Sequence, residues 1–269
     1  MKVKDVLKEL GVRPSKALGQ NFLIDASVVS TIVDFGRPSA ADTIVEIGPG
    51  LGALTRELNA VRQPLLIEIE AEFCERLARE FPGVRIISED VRGVDFGSLG
   101  GDLLVFGNLP YSFSSDIIFH LISQAKCIRR AVLLLQKEFV ERLGAEPGGR
   151  DYGVLSIMCQ LWADVHFGPV ISGRAFHPVA QVDSQLVELS FLGSARFPVS
   201  DLFWFRRFVT ACFTKRRKKL SNSLKASRMA TGDQIEGAFR KTGLDPNRRP
   251  ETLSIQEFVE LAEAFRPAE

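Results

Sequence analysis

Asn108-Leu109-Pro110-Tyr111 gathers groups that can act together on a flat amine. It follows the apolar run Leu103–Phe106, which reads as a strand, so the motif starts at a strand end. The Asn108 side-chain oxygen and the Leu109 carbonyl are two acceptors for the two hydrogens of one amino group. Pro110 has no N–H to donate and stiffens the loop. Tyr111 offers a ring face, and stacking of a nucleobase on an aromatic ring is worth roughly 1–3 kcal/mol. Adenine's exocyclic amine is a poor nucleophile, because its lone pair is delocalised into the ring. Acceptors on both hydrogens favour a pyramidal nitrogen with a localised pair. Attack on an electrophilic methyl then gives a cationic amine that loses its proton readily, so no strong general base is needed. Positioning and electrostatics supply most of such catalysis. The base must also leave any duplex to reach the loop.

A second loop lies upstream. Gly48-x-Gly50 follows the run Thr43–Ile47, and glycine lets the backbone approach a ligand closely. Gly48-x-Gly50-x-x-Ala53 satisfies a dinucleotide fingerprint, and Glu68 stands where a ribose-binding acid belongs. By itself the loop does not separate NAD from S-adenosylmethionine. Glu46 tips the balance: Glu46-x-Gly48-x-Gly50-x-Gly52 is the form seen in many methyltransferases. Its negative charge suits an ammonium and a sulfonium, and does not suit a pyrophosphate. Asp90 adds a carboxylate for an adenine amino group. The motif at 108–111 similarly resembles the Asn/Asp-Pro-Pro-Tyr/Phe loop of enzymes that methylate exocyclic amines.

The elements that position these loops follow a βα rhythm. Strands are expected at 43–47, 65–67, 84–88, 103–106 and 131–135, and helices at 53–60, 71–81 and 115–123. Gly48, Glu68, Asp90 and Asn108 close four successive strands at intervals of about 20 residues, which suits a parallel sheet. Ligands of such sheets bind beyond the carboxyl ends of the strands. Before the rhythm come a helix from Val3 to Leu10, an irregular stretch over 13–25 and a helix over 28–35. After residue 150 a helix is expected at 152–162, then strands at 165–167 and 185–192 with a loop over 176–184 between them. From Pro198 the chain reads as all helical, and Ser254-x-x-Glu257 is a capping box. The fold class is therefore α/β: a Rossmann-like methyltransferase domain over 1–196, with a helical extension at 1–36, and a small all-α domain over 197–269.

Bulk properties narrow the classes. Hydrophobic residues make up 45% of the 269, enough for a core, and no apolar run reaches the roughly 20 residues of a membrane span. The N-terminus lacks the apolar core of a secretory signal, so the cytoplasm is expected. The four cysteines form no C-x-x-C pair, the three histidines are scattered, and no metal is expected. Net charge is only +1, yet Leu202 to Arg228 contains no acid. The basic run Lys215, Arg216, Arg217, Lys218 and Lys219 within it is a candidate phosphate contact.

Over nearly its whole length the chain resembles the KsgA (RsmA) family of small-subunit rRNA adenine dimethyltransferases. The likeness rests on Lys16 to Leu23, Val45 to Thr55, Leu135 to Glu138, Tyr152 to Ser156, Phe176-x-Pro178 with Val182-Asp183-Ser184, and Arg216 to Lys218 with Asn222 to Leu224. It implies two methyls placed on N6 of each of two adjacent adenosines near the 3′ end of small-subunit rRNA. It implies cofactor contacts from Asn21, Leu23, Gly48, Gly50, Glu68, Asp90 and Asn108, and a helical domain that helps engage RNA. It makes Phe176 a second aromatic wall for the flipped base. A monomer bound to immature small subunits is expected. Ser112-Phe113 and Ala180 depart from the usual pattern of Asn with an aliphatic residue and of a second proline. A large-subunit (Erm-type) adenine methyltransferase, an assembly factor whose binding outweighs its catalysis, and an NAD-dependent oxidoreductase are the alternatives. The last leaves the 108–111 motif unexplained.

Overall fold

The structure, a computed structural model, describes residues 3–14, 19–215 and 218–266. The strands in chain order are β1 (Phe22–Leu23), β2 (Ile44–Ile47), β3 (Leu65–Ile67), β4 (Ile86–Ile87), β5 (Leu103–Asn108), β6 (Ile128–Gln136), β7 (Ala163–Ile171), β8 (Phe176–His177) and β9 (Ser184–Phe191). Seven of them form one sheet in the order β4-β3-β2-β5-β6-β9-β7. From β4 to β6 the neighbours run parallel, whereas β9 runs antiparallel to both β6 and β7. All four residues of β2 are buried, as a strand covered on both faces requires.

The βα expectations hold. Helices occupy Ala53–Val61, Ala71–Glu80 and Ser114–Ser123, each between the strands that flank it in the sequence. Each turns one apolar side inward: Leu54 and Leu58, Phe73 and Leu77, Ile118 and Leu121 are buried. The sheet's length after residue 160 exceeds the sequence expectation, because β7 runs from Ala163 to Ile171 in spite of Gly168 and Pro169. Its register shifts between Phe167 and Val170, which accommodates both breakers.

One pairing lies outside the sequence expectation. β1 and β8 run antiparallel, with Phe22 opposite His177 and Leu23 opposite Phe176. Two-residue strands are too short to show a period, and the partners lie far apart in the chain, so both read as loop in the sequence.

The chain divides into two compact units, Met1–Val140 with Ala163–Ser194, and Glu141–Trp162 with Ala195–Glu269. One break of this division falls between Ser194 and Ala195. The segment 141–162 departs from the expected division, because it groups with the C-terminal helices. Within the second unit, Gln160 Nε2 donates to the carbonyls of Leu143 and Ala145, and Arg196 N donates to Leu161 O. The helix Leu202–Cys212 buries Phe205, Phe208 and Val209, and Phe213 stacks on Phe258 with ring centres 5.8 Å apart. Ser254 and Glu257 form the anticipated capping box, and Thr231 with Gln234 forms another.

Candidate active site

Strand register brings the two motifs together. Ile47 lies opposite Ile67 on β3 and opposite Gly107 on β5. The residues that come next, Gly48, Glu68 and Asn108, therefore emerge at one edge of the sheet. This is also where strand order reverses, with β3 on one side of β2 and β5 on the other. Crevices at such switch points bind ligands in open α/β sheets. A cavity here is lined by Asn21, Leu23, Glu46, Gly48, Gly50, Glu68, Asp90 and the whole Asn108–Tyr111 motif. Every cofactor and catalytic candidate from the sequence thus faces one cavity.

The floor is main chain in unusual conformations. Gly48 and Gly50 have φ of +64° and +53°, in the left-handed region that suits glycine. Gly50 N donates to Glu68 Oε2 at 3.0 Å, while Ile69 N and Glu70 N donate to Glu68 Oε1 at 2.9 and 3.0 Å. Burial raises the Glu68 pKa, and these three N–H groups oppose the rise. Glu68 is thereby held rigidly, with a lone pair of Oε2 left for a ligand donor.

Glu46 is different. It is only 2% exposed, and its Oε2 has no hydrogen-bond partner among the described residues. Burial, with a smaller push from the Glu68 carboxylate, raises its pKa to about 8. A buried acceptor left unmet at a cavity wall calls for a donor from the ligand. Asp90 is half-exposed and engaged by Arg92: Arg92 Nε lies 3.0 and 3.1 Å from the two carboxylate oxygens, and Arg92 N donates to Oδ1 at 2.9 Å. These bonds hold its carboxyl below the ordinary range. Arg92 is the only basic side chain lining the cavity among the described residues, against Glu68, Glu89 and Asp90, with Glu46 a fourth carboxyl that a nearby cation would ionise. The lining suits a cationic adenosine derivative and would repel a pyrophosphate, so these residues fit S-adenosylmethionine and not NAD.

Asn108 closes β5. Its Nδ2 donates to the main-chain carbonyl of Asn21 at 3.0 Å, which leaves Oδ1 as the acceptor end of a side chain that lines the cavity. Asn21 in turn donates from its own Nδ2 to Gly19 O at 3.1 Å. Gly19, at φ +66°, packs against the motif so tightly that a Cβ there would sit 3.1 Å from Tyr111 N. Tyr111 Oη lies 2.7 Å from Ser184 Oγ.

One sequence expectation meets a different outcome. Phe176 is fully buried in the core with Leu23, Ile32, Leu134 and Leu186, and it does not line the cavity. The pairing of β8 with β1 sets Phe176 opposite Leu23, and its ring packs in that core, so in this structure it is a core anchor and not a second wall. Of the basic run, Lys215, Lys218 and Lys219 are exposed and Lys219 Nζ donates to Asn247 Oδ1 at 2.8 Å; Arg216 and Arg217 lie outside the described residues, as do Lys16, Ala17 and Leu18. Sequence reasoning missed Arg92, Phe113 and Ser184. Phe113 lines the cavity, and the Arg92 guanidinium lies 4.7 Å from the centre of its ring. Ser184 sat inside the Val182-Asp183-Ser184 match without a role. Arg92 carried no signal beyond its place two residues after a strand-end acid.

Comparison with known proteins decides the assignment. Residues 12–266 match the family described as ribosomal RNA adenine dimethylase. The chain belongs to that family. The dimethylase is 40% identical to ribosomal RNA small subunit methyltransferase A of Myxococcus xanthus, over 98% of this chain and 95% of that one. It is 43% identical to the protein of the same name from Thiobacillus denitrificans, over 91% and 95% of the two chains. Among solved structures it shares its fold with a dimethyladenosine transferase from Plasmodium falciparum, with a TM-score of 0.72 at 23% identity over 89% of this chain and 95% of that one. It also shares it with the 23S rRNA methyltransferase ErmE, with a TM-score of 0.64 at 23% identity over 91% and 99%. The dimethylase thus has the α/β methyltransferase fold expected from its strand-end motifs. No helix among its described residues is long and apolar enough to cross a membrane.

Proposed function

We propose that the enzyme transfers methyl groups from S-adenosylmethionine to N6 of two adjacent adenosines in the 3′-terminal hairpin of small-subunit rRNA, giving dimethyladenosines. The observation that carries this reading is the Asn108 amide, whose donor end Asn21 takes, leaving its oxygen as the acceptor in the cavity lining beside the glycine loop. The names borne by the curated relatives support the small subunit as the target.

When bound, S-adenosylmethionine supplies an electrophilic methyl on a sulfonium sulfur. Glu46 would accept from its ammonium, Glu68 from a ribose hydroxyl, and Asp90 from its adenine amine. Gly48 and Gly50 bring the backbone close, and Asn21 and Leu23 close the cavity over it. Asn108 Oδ1 and the Leu109 carbonyl accept the two hydrogens of the target amine and localise its lone pair. Tyr111 carries the unstacked base. Its pKa is raised, chiefly by burial and further by the nearby Asp183 charge, so it acts as a neutral surface and not as a base. The proton lost after methylation passes to water. Lys215 to Lys219, together with the C-terminal helices, contact rRNA phosphates in the immature subunit. The enzyme works in the cytoplasm as a monomer without a metal.

The test is transfer of label from S-adenosylmethionine to unmethylated small subunits, naked small-subunit rRNA, large-subunit rRNA or duplex DNA. Label on small subunits is expected. Label confined to large-subunit RNA would overturn the target, and tight subunit binding without transfer would favour an assembly factor.

A further inference from the structure

Tyr111 Oη and Ser184 Oγ lie 2.7 Å apart, although the two residues are 73 positions apart in the sequence. Ser184 is fully buried and opens β9, where it stands opposite Gln136 on β6 and Ile171 on β7. Neighbours on both sides therefore hold its backbone. The residue before it is pinned as well. Asp183 O accepts from Lys137 N at 3.0 Å, and Asp183 Oδ1 accepts from Gly173 N at 3.2 Å.

Topology explains the reach. β9 runs antiparallel to β6, so its first residue stands at the sheet edge where β5 and β6 end. Asn108 at the end of β5 lies opposite Leu134 of β6. The Tyr111 side chain leaves the loop after β5, crosses the end of β6 and meets β9. Its main chain is held by the short helical turn Tyr111–Phe113, and Ser114 Oγ, just after the turn, donates back to Pro110 O at 3.2 Å. A tyrosine tethered only at Cα is free to change rotamer and turn its ring. One tethered at both ends keeps its rotamer and holds the ring in one place.

We propose that Ser184 is a positioning residue for the acceptor base, holding Tyr111 in one rotamer so that an adenine stacked on its ring delivers its amine to Asn108. This rests on the reading of Tyr111 as the base platform. It gives the Val182-Asp183-Ser184 segment a function: Asp183 anchors the strand start, and Ser184 anchors the phenol. Since Ser184 acts through Tyr111 alone, removing either hydroxyl should have one and the same effect. Misplacing a reacting group affects turnover more than ground-state binding.

The experiment is steady-state kinetics on unmethylated small subunits, with S-adenosylhomocysteine affinity measured calorimetrically on the same variants. Ser184→Ala is expected to lower kcat by about tenfold. The KM for subunits and the affinity for S-adenosylhomocysteine should stay within about twofold. Tyr111→Phe should match it, the double variant should be no worse than either single one, and Ser184→Thr should restore most of the turnover. Wild-type kcat in Ser184→Ala, or losses that multiply in the double variant, would overturn the inference. If Ser184→Ala does not fold, Tyr111→Phe removes the same hydrogen bond without a cavity, and wild-type turnover there overturns it. Tyr111→Ala separates the two readings. Undiminished turnover in that variant removes the base platform and the inference together. A loss in Tyr111→Ala with none in Ser184→Ala removes the inference alone.

Discussion

The Asn108 amide donates from Nδ2 to the Asn21 carbonyl at 3.0 Å, across 87 residues of sequence. An amide has one donor end and one acceptor end, so a main-chain carbonyl that takes the first orients the second. The N-terminal segment is thus part of the catalytic geometry and not merely a cover.

Asn108→Ala removes the acceptor and should cut methyl transfer by on the order of a hundredfold or more, as loss of a preorganised polar group does. Subunit binding should be nearly intact. Asn108→Asp should fare no better, because a carboxylate has no donor for the Asn21 carbonyl. Label transfer and filter binding on the same preparations check both; equal activity in the mutants would sink the proposed chemistry.

Glu46 couples the cofactor site to pH. Burial raises its pKa from an ordinary 4.5 to about 8, so between those values the folded protein holds a proton that the unfolded chain has lost. Stability of the ligand-free enzyme should therefore fall as pH rises through that window and level off above it. Glu46→Gln should flatten this slope in thermal melts taken across the window. Binding S-adenosylhomocysteine brings an ammonium to the carboxyl and should expel the proton. Calorimetric enthalpies at pH 7 should then differ between buffers of different ionisation heat, and Glu46→Gln should abolish the difference.

Arg92 keeps the Asp90 carboxyl below its ordinary range, chiefly by its side-chain hydrogen bonds. A depressed carboxylate stays charged to lower pH, so what it contributes is present above the ordinary value and is lost as pH falls through the depressed one. Arg92→Ala should move the acid limb of S-adenosylhomocysteine binding to higher pH. Phe113→Leu, which takes away the ring beneath the guanidinium, should move it the same way but less. Affinity titrations across the acid range decide it; an unmoved limb in Arg92→Ala would show that Arg92 is a bystander.

Phe176 lies wholly inside the core, so Phe176→Ala should destabilise the fold by about 3–5 kcal/mol. Phe176→Leu should stay folded with turnover near wild type. A specific fall in kcat for Phe176→Leu at an unchanged melting temperature would instead return this ring to the base.

The exposed Lys215 and Lys218 offer a test of phosphate binding. Replacing either by Ala should reduce the slope of log affinity against log salt by roughly one for each phosphate no longer neutralised. Unchanged slopes in subunit-binding assays would mark the run as a solvated surface.

Much of this enzyme is legible in the chain itself. The alternation of apolar strand and amphipathic helix is local, so Ile44–Ile47, Leu65–Ile67 and Leu103–Asn108 and the helices between them can be read directly. Loops after parallel strands share one edge of the sheet, which is why the spacing of Gly48, Glu68, Asp90 and Asn108 along the chain already assigns them to one cavity. Pairings between distant segments leave no local period, and the tertiary structure alone decided them. It joined Phe22–Leu23 to Phe176–His177 and so buried a ring that its motif had marked for the substrate. It grouped residues 141–162 with the C-terminal helices. It turned Asn21 toward Asn108 and Ser184 toward Tyr111, because register across β5, β6 and β9 sets which strand ends meet, and register is a property of the assembled sheet.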